Sequence, residues 1–284
     1  RWGRSEECYG EDPLHAARFA RAIIQGIQSQ GVAVAAKHFC AQGETTGGIN
    51  ASAARIGPRE LREIHLPAAK AACEAGAAAF MAAYNEIDGV PCHMNAGLLT
   101  GILREEYGFD GVVMADGCAI DRLDALTRDN VRSGALALEA GVDIGLWDTG
   151  FSHLPEAVEK GYVSEKLLDR AVIRVLKLKF ERGLFEHPYL PEGRSPTHFS
   201  PSAFPQSLEL SRQSLVLLKN AGLLPLRAPR AVAVIGPSAN DIYRQLGDYS
   251  PPVRRGDAAT LLDGLRLTAP GSTLLTDGGL APAR

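Results

Sequence analysis

The stretch GFDGVVMADGCAIDRL, residues 108–123, decides how this chain is read. Val112, Val113 and Met114 form an apolar run too short for a helix, bounded by Gly111 and Gly117, which predicts a buried strand. Such a strand is a rigid platform, and Asp116 sits where the chain leaves it. The small neighbours Ala115 and Gly117 leave room beside the carboxylate for a ligand. Two readings stand at this point: a functional carboxylate at the carboxyl end of a strand, or a cap on the next turn.

Outward from this run, apolar strand-type segments alternate with longer helical ones. Strands are expected at 32–36, 78–83, 112–115 and 142–146, with helices near 14–30, 59–75, 96–106 and 131–140. Alternation of this kind means a parallel sheet with helical crossovers. A helix over 164–183 closes the series: Ser164 suits its start, Leu168, Val172, Val175, Leu176 and Phe180 share a face, and Gly183 can end it. Polar groups follow each strand, Lys37 and His38 after the first, Tyr84 and Asn85 after the second, Asp116 after the third, Trp147 and Asp148 after the fourth. That gathering at carboxyl ends is the arrangement of a (β/α)8 TIM-type barrel, although a doubly wound sheet does something similar at its switch point. A full barrel takes about 250 residues. With four or five strands visible, the expectation is the C-terminal part of a barrel over 1–186, its other strands preceding Arg1.

Past residue 185 the texture changes. HPYLPEGRSPTHFSPSAFP, residues 187–205, is dense in Pro and Ser and reads as an interdomain linker. A connecting helix over 206–219 leads through LLPL to AVAVIGP, a strand at 231–235 that starts a second, truncated α/β domain over 229–284; the linker and connecting helix together occupy 187–228. The chain opens on RWGRSEECYGEDP without an initiator Met, so a fragment is expected, and the lack of a targeting segment says nothing about location.

Composition bounds the function classes. The 284 residues are 45% hydrophobic with a net charge of −3, the profile of an ordinary globular chain. Without a basic run, nucleic acid is not an expected partner, and without an 18-residue apolar stretch neither is a membrane span. Cys8, Cys40, Cys73, Cys92 and Cys118 lack metal-type spacing, so no metal or other cofactor is expected; their odd count leans to a reducing, cytoplasmic compartment. GETTGG, residues 43–48, lacks the spacing of either phosphate-binding fingerprint.

Seven runs, RWGRSEECYGEDP, KHF, RELREIHLPAAKAA, MAAYNEIDGVPCHMN, ILREEYGFDGVVMAD, SRQSLVLLKNAGLLPL and VAVIGP, occur in the order seen in glycoside hydrolase family 3, the β-glucosidase and β-xylosidase type, which this chain resembles. The resemblance implies a retaining, exo-acting β-glycosidase of β-linked oligosaccharides or glycosides, with a barrel, a linker and an α/β sandwich domain followed in that order. In a retaining enzyme one carboxylate attacks the anomeric carbon while a second, about 5–5.5 Å away, protonates the leaving oxygen and later activates water.

Residue by residue, the resemblance implies Asp116 as nucleophile, kept ionised by cationic neighbours such as Lys37. It implies Lys37 and His38 as a clamp on the hydroxyls of the non-reducing sugar, Arg4 as an arginine reaching the same sugar, with Arg1 a competing match, and Tyr84 as a hydroxyl near the nucleophile. Glu44 is expected as a solvated loop carboxylate, and His65, His93 and Arg59 as packing or salt-bridge residues. Trp147 stays open between a sugar-stacking floor and a core-edge tryptophan, and Asp148 is equally open.

Two features set this chain apart within the resemblance. The family commonly has a bulky residue after the nucleophile where this chain has Gly117, so a wider pocket without a stacking wall is expected. The loop KHFCAQGETTGGIN lacks the His of the KHFPGHGDT pattern, in which an Asp-His pair does the acid/base work, so a Glu of the second domain is expected as proton donor. Glu209 lies too early and no later Glu exists, which places that donor beyond Arg284. The alternative reading is a non-catalytic carbohydrate-binding member of the same fold.

Overall fold

A computed structural model describes residues 2–189, 204–227, 231–247, 249–250, 252–253 and 258–278. The chain divides into two compact units, Arg1–Tyr189 and Leu190–Arg284.

The first unit is mixed α/β. Helix α1 (Pro13–Gln28) starts where Asp12 accepts a hydrogen bond from the His15 N–H at 2.7 Å, with Pro13 at a position that has no helical N–H to offer. It packs against α2 (Pro67–Glu74) across the outer face of the sheet. Strands β1 (Ala35–Phe39) and β2 (Ala79–Ala82) run parallel; a short hairpin, β3 (Glu86–Ile87) and β4 (Val90–Pro91), precedes β5 (Val112–Met114). The sheet order is β1-β2-β5, all parallel. Helices α3 (Asn130–Ala140) and α4 (Glu165–Glu181) follow, α3 capped by the Asp129 carboxylate at its start and by left-handed Gly141 at its end.

Three phenylalanines set the core: Phe39 meets Phe80 edge to face at 5.6 Å, and Phe80 meets Phe109 likewise at 5.0 Å. Leu66, Leu99, Leu103 and Val113 fill in around them. Gly111 is required at the entry to β5, because a Cβ there would stand 2.4 Å from the Ala78 carbonyl oxygen and 2.7 Å from Phe109 Cζ.

The structure corrects several boundaries. The first strand begins at Ala35 and runs to Phe39, not over 32–36, so Lys37 and His38 lie within it. Phe39 has to reach Phe80, and the ladder extends to it through a register shift between Ala36 and Phe39, leaving Val32 57% exposed before the strand. The strand expected at 142–146 is reduced to one bridge, Met114 to Ile144. There the backbone still runs beside β5, but the Asp143 side chain turns into a buried ion cluster at the second position. The helix expected over 59–75 is interrupted by a π-helical turn at Leu61–His65, because Pro67 has no N–H to continue the ladder, and 97–106 is likewise π-helical. The β3–β4 hairpin turns on Asp88-Gly89, both at positive φ, a dipeptide that favours such tight turns.

In the second unit, helix α5 (Pro205–Gln213) is shorter than the 206–219 expected, and Leu215 to Leu218 are exposed and irregular. Strand β6 (Ala231–Ile235) matches its expected span; helix α6 (Leu261–Thr268), opened by a Thr260/Asp263 capping box, leads to β7 (Thr273–Asp277), which pairs parallel to β6. Val234, Ala239 and Leu262 make a small core. Arg1 and most of the linker expected at 187–205 lie outside the described residues. Among the described residues no helix is long and apolar enough to cross a membrane.

Candidate active site

The three parallel strands deliver their carboxyl ends to one place. Asp116 lies two residues past the end of β5 and is 8% exposed. Its Oδ1 accepts the Gly117 N–H at 2.8 Å, and its Oδ2 lies 3.5 Å from His38 Nε2. Tyr84, two residues past β2, donates its hydroxyl to the Gly117 carbonyl at 2.6 Å and stands beside the Asp116 carboxylate. From β1 come His38, whose side chain is buried, and Lys37, whose Nζ is 2.8 Å from Glu7 Oε2. Glu7 also accepts from Arg4, Nε at 2.5 Å and Nη2 at 2.9 Å, and the Arg4 guanidinium lies over the Trp2 ring. All five expected residues, Arg4, Lys37, His38, Tyr84 and Asp116, therefore gather around one point, with Glu7 tying two of the cations together.

Glu7 is not among the residues expected from sequence, and His93 is expected there only to pack or pair. Arg4 first, then Lys37, hold the Glu7 carboxyl down to about 2, so it is a fixed anion that keeps both cations in place. His93 is buried, as the packing reading has it, yet its Nε2 accepts the backbone N–H of Asp116 at 3.2 Å. Burial lowers its pKa to about 4, and the Ala83 carbonyl engages the ring, so the neutral tautomer presents a lone pair to Asp116.

Burial also sets the charge of the other groups. It pushes His38 down to about 3, with help from Arg4 and Lys37, so this imidazole is neutral at working pH. The Asp116 carboxyl is raised, because burial outweighs the Gly117 N–H, Arg4, Tyr84 and Lys37. The expectation that Lys37 would hold it low is corrected: Lys37 contributes least of these, and its charge is engaged by Glu7.

Other candidates resolve plainly. Asp148 is structural: its Oδ1 accepts from Ile120 N at 2.7 Å and its Oδ2 from Leu146 N at 2.7 Å, while Asp121 returns the clasp to Thr149 N and Gly150 N, each at 2.8 Å. Trp147 is 82% exposed, which removes the core-edge alternative. Glu44 is half-buried rather than solvated, lining a shallow hollow with Arg55 and Glu60. Arg59 pairs with Glu63 on the surface at 3.8 Å. A cavity of about 440 Å³ between α1, β1 and α2 reaches Lys37 and His38 but is lined mainly by apolar residues and does not include Asp116. Among the described residues no group of three or more His, Cys, Asp or Glu could hold a metal ion.

The two neutral imidazoles give a stability prediction with a definite sign. In the unfolded chain both protonate near pH 6.5, whereas the folded chain holds them neutral down to about 4 for His93 and about 3 for His38. Their contribution is complete above pH 6.5 and is lost as pH falls through that window, by up to about 1.4 kcal/mol per pH unit for each. The urea midpoint is expected to drop between about pH 6.5 and about pH 4.5, and His93→Gln is expected to flatten that slope.

Residues 1–178 match the model of the glycosyl hydrolase family 3 N terminal domain. The chain belongs to glycoside hydrolase family 3. It is 35% identical to a β-xylosidase of Formosa agariphila, over 94% of this chain and 41% of that protein. It is 30% identical to a periplasmic β-glucosidase of Salmonella typhimurium, over 99% of this chain and 40% of that protein. Among solved structures it superimposes on a β-glucosidase from Listeria innocua with a TM-score of 0.91 at 32% identity, covering 99% of this chain and 41% of the other. The chain thus spans about two fifths of the length of the relatives it matches, and its first unit falls in the N-terminal, TIM-barrel-type α/β domain of this family.

Proposed function

We propose that these residues form the nucleophile-bearing part of a retaining β-glycosidase that removes terminal non-reducing β-D-glucosyl or β-D-xylosyl residues. The observation that carries this reading is the state of Asp116: a carboxylate at a strand end, one oxygen fixed by the Gly117 N–H, the other beside a neutral His38, with the Tyr84 hydroxyl next to the carboxylate. In this reading Oδ2 attacks the anomeric carbon as the bond to the leaving oxygen breaks, and a second carboxyl group protonates that oxygen. Water, deprotonated by the same second group, then cleaves the glycosyl ester and frees Asp116. Backbone restraint by His93 and Gly117 keeps the attacking oxygen aimed, since a nucleophile displaced by about 1 Å loses much of its advantage. Arg4 and Lys37, bridged by Glu7 and together with it still carrying one net positive charge, offer N–H donors to sugar hydroxyls.

The architecture that fits is the C-terminal part of a (β/α)8 barrel, a linker and the start of an α/β sandwich. The proton donor is a glutamate that these 284 residues do not supply: Glu209 lies on α5, and no Glu follows it. The substrate class is supported by the relatives' own activities and by Listeria innocua β-glucosidase structures in complex with glucose and with laminaribiose.

The test compares two proteins on aryl β-D-glucosides and β-D-xylosides. The complete gene product is expected to turn over at least one of them, and the 284-residue chain alone to remain at background. Robust turnover by the chain alone would overturn the placement of the donor. Inactivity of the complete product on both substrates would overturn the glycosidase reading.

A further inference from the structure

Trp147 is 82% exposed, although an aromatic side chain of this size has on the order of 150–250 Å² to bury. It is also held at φ 63°, a backbone conformation rare for a bulky residue. The segment carrying it is not loose. The Leu146 carbonyl accepts the Cys118 N–H at 2.8 Å, and the Asp148 carboxylate binds backbone on both sides, at Leu146 and at Ile120. A strained, exposed indole on a clamped segment is a rigid apolar face available to an occupant.

Its location says which occupant. A Cβ built on Gly117 would lie 3.4 Å from Trp147 Cε3 and Cζ3, and 3.4 Å from Tyr84 Oη. The indole edge thus stands at van der Waals distance from where a Cβ at 117 would lie, immediately after Asp116. Along the sheet the order is β1, β2, β5, and then the segment bridged at Ile144, so Trp147 comes from the opposite side of Asp116 to Lys37 and His38. If the β1 side holds the hydroxyls of the sugar being cleaved off, the Trp147 side faces the group that leaves.

We propose that Trp147 is a specificity-determining wall of the leaving-group subsite, stacking its free face on the ring of the departing sugar or aryl group. A pyranose ring presents axial C–H bonds to such a face, and an aryl ring stacks in the usual offset way. The wall that Gly117 does not supply then comes from another loop. The proposal rests on the reading of Asp116 as nucleophile.

The experiment compares the complete gene product with its Trp147→Ala and Trp147→Phe variants. Two kinds of leaving group are offered on one glycone: ring-bearing (a β-linked disaccharide and an aryl glycoside) and ringless (the 2-deoxy-2-fluoro glycosyl fluoride, read as labelling of Asp116). In Trp147→Ala the ratio of kcat/KM for ring-bearing substrates to the labelling rate is expected to fall roughly 3- to 10-fold, mainly through KM, with Trp147→Phe recovering most of it. An unchanged ratio, whether both rates hold or both fall together, overturns the proposal. Should Asp116 fail to label in the unsubstituted protein while Trp147→Ala still raises KM for ring-bearing substrates alone, the nucleophile assignment falls and the wall stands.

Discussion

Asp116→Asn in the complete gene product is expected to lower turnover of aryl β-glycosides by at least about 10⁴-fold, as loss of a covalent nucleophile does. The substitution is nearly isosteric. Its amide oxygen can still accept the Gly117 N–H, and the backbone bond to His93 involves no side-chain atom of residue 116, so the site should keep its shape. Stability should not suffer. The carboxyl is raised by burial, which means the folded state disfavours its charged form, and a neutral amide removes that penalty. Loss of activity with an unchanged or slightly higher urea midpoint would therefore separate chemistry from folding. The same raised carboxyl predicts that the acid limb of kcat/KM lies above the ordinary aspartate value of 3.8, since the free enzyme must ionise Asp116 before it can attack. Peptide mass spectrometry after reaction with a 2-deoxy-2-fluoro glycoside should find the sugar on Asp116. A label on another residue refutes the assignment, and a complete protein that binds glycosides yet never acquires a label is the non-catalytic member of the fold.

What could be read from sequence follows from how local each signal is. Asp116 and Tyr84 were legible because each follows a short apolar run by a fixed step, and the strand itself positions the side chain. Lys37 and His38 were found for a reason that proved slightly wrong: they lie inside β1, whose limits depend on Phe39 reaching Phe80 across the sheet. Glu7 and His93 were not legible as site residues. Glu7 meets Lys37 across 30 positions and His93 meets Asp116 across 23, and no periodicity reports such a meeting. The direction of the Asp116 shift was also beyond the sequence, because it is a balance between burial and four lowering partners that exists only once the chain has folded. Gly117 and Trp147 were each noticed, one as a gap and the other as an ambiguity. Only the fold, which brings the Trp147 indole to 3.4 Å from where a Cβ on Gly117 would stand, makes them one feature.

Asp143→Ala is expected to destabilise the first unit by about 3–5 kcal/mol, the range for removing one partner of a buried ion cluster. The Asp143 side chain is 1% exposed; its Oδ2 accepts from Arg104 Nη2 at 2.6 Å and from the Val113 N–H at 2.8 Å, and its Oδ1 from Arg174 Nη1 at 2.9 Å. Removing the carboxylate strands the Arg104 guanidinium, only 7% exposed, together with a strand N–H. Burial already pulls the Arg104 pKa down against the pull of Asp143, which is the sign of a cation that depends on its partner. Arg104 also donates to the carbonyls of Gly111 and Gly141, so its displacement loosens both flanks of β5. Arg174→Ala should cost much less, because that guanidinium is 19% exposed and water can replace it around the carboxylate. Urea denaturation of the two variants tests the ordering, and equal losses would mean that the cluster acts through packing rather than charge. The cluster grips Val113, near the middle of the three-residue strand whose exit carries Asp116. Turnover per folded molecule should therefore hold in Arg174→Ala, whereas in Asp143→Ala any activity lost beyond the folded fraction would measure how far the aim of Asp116 depends on the rigidity of β5.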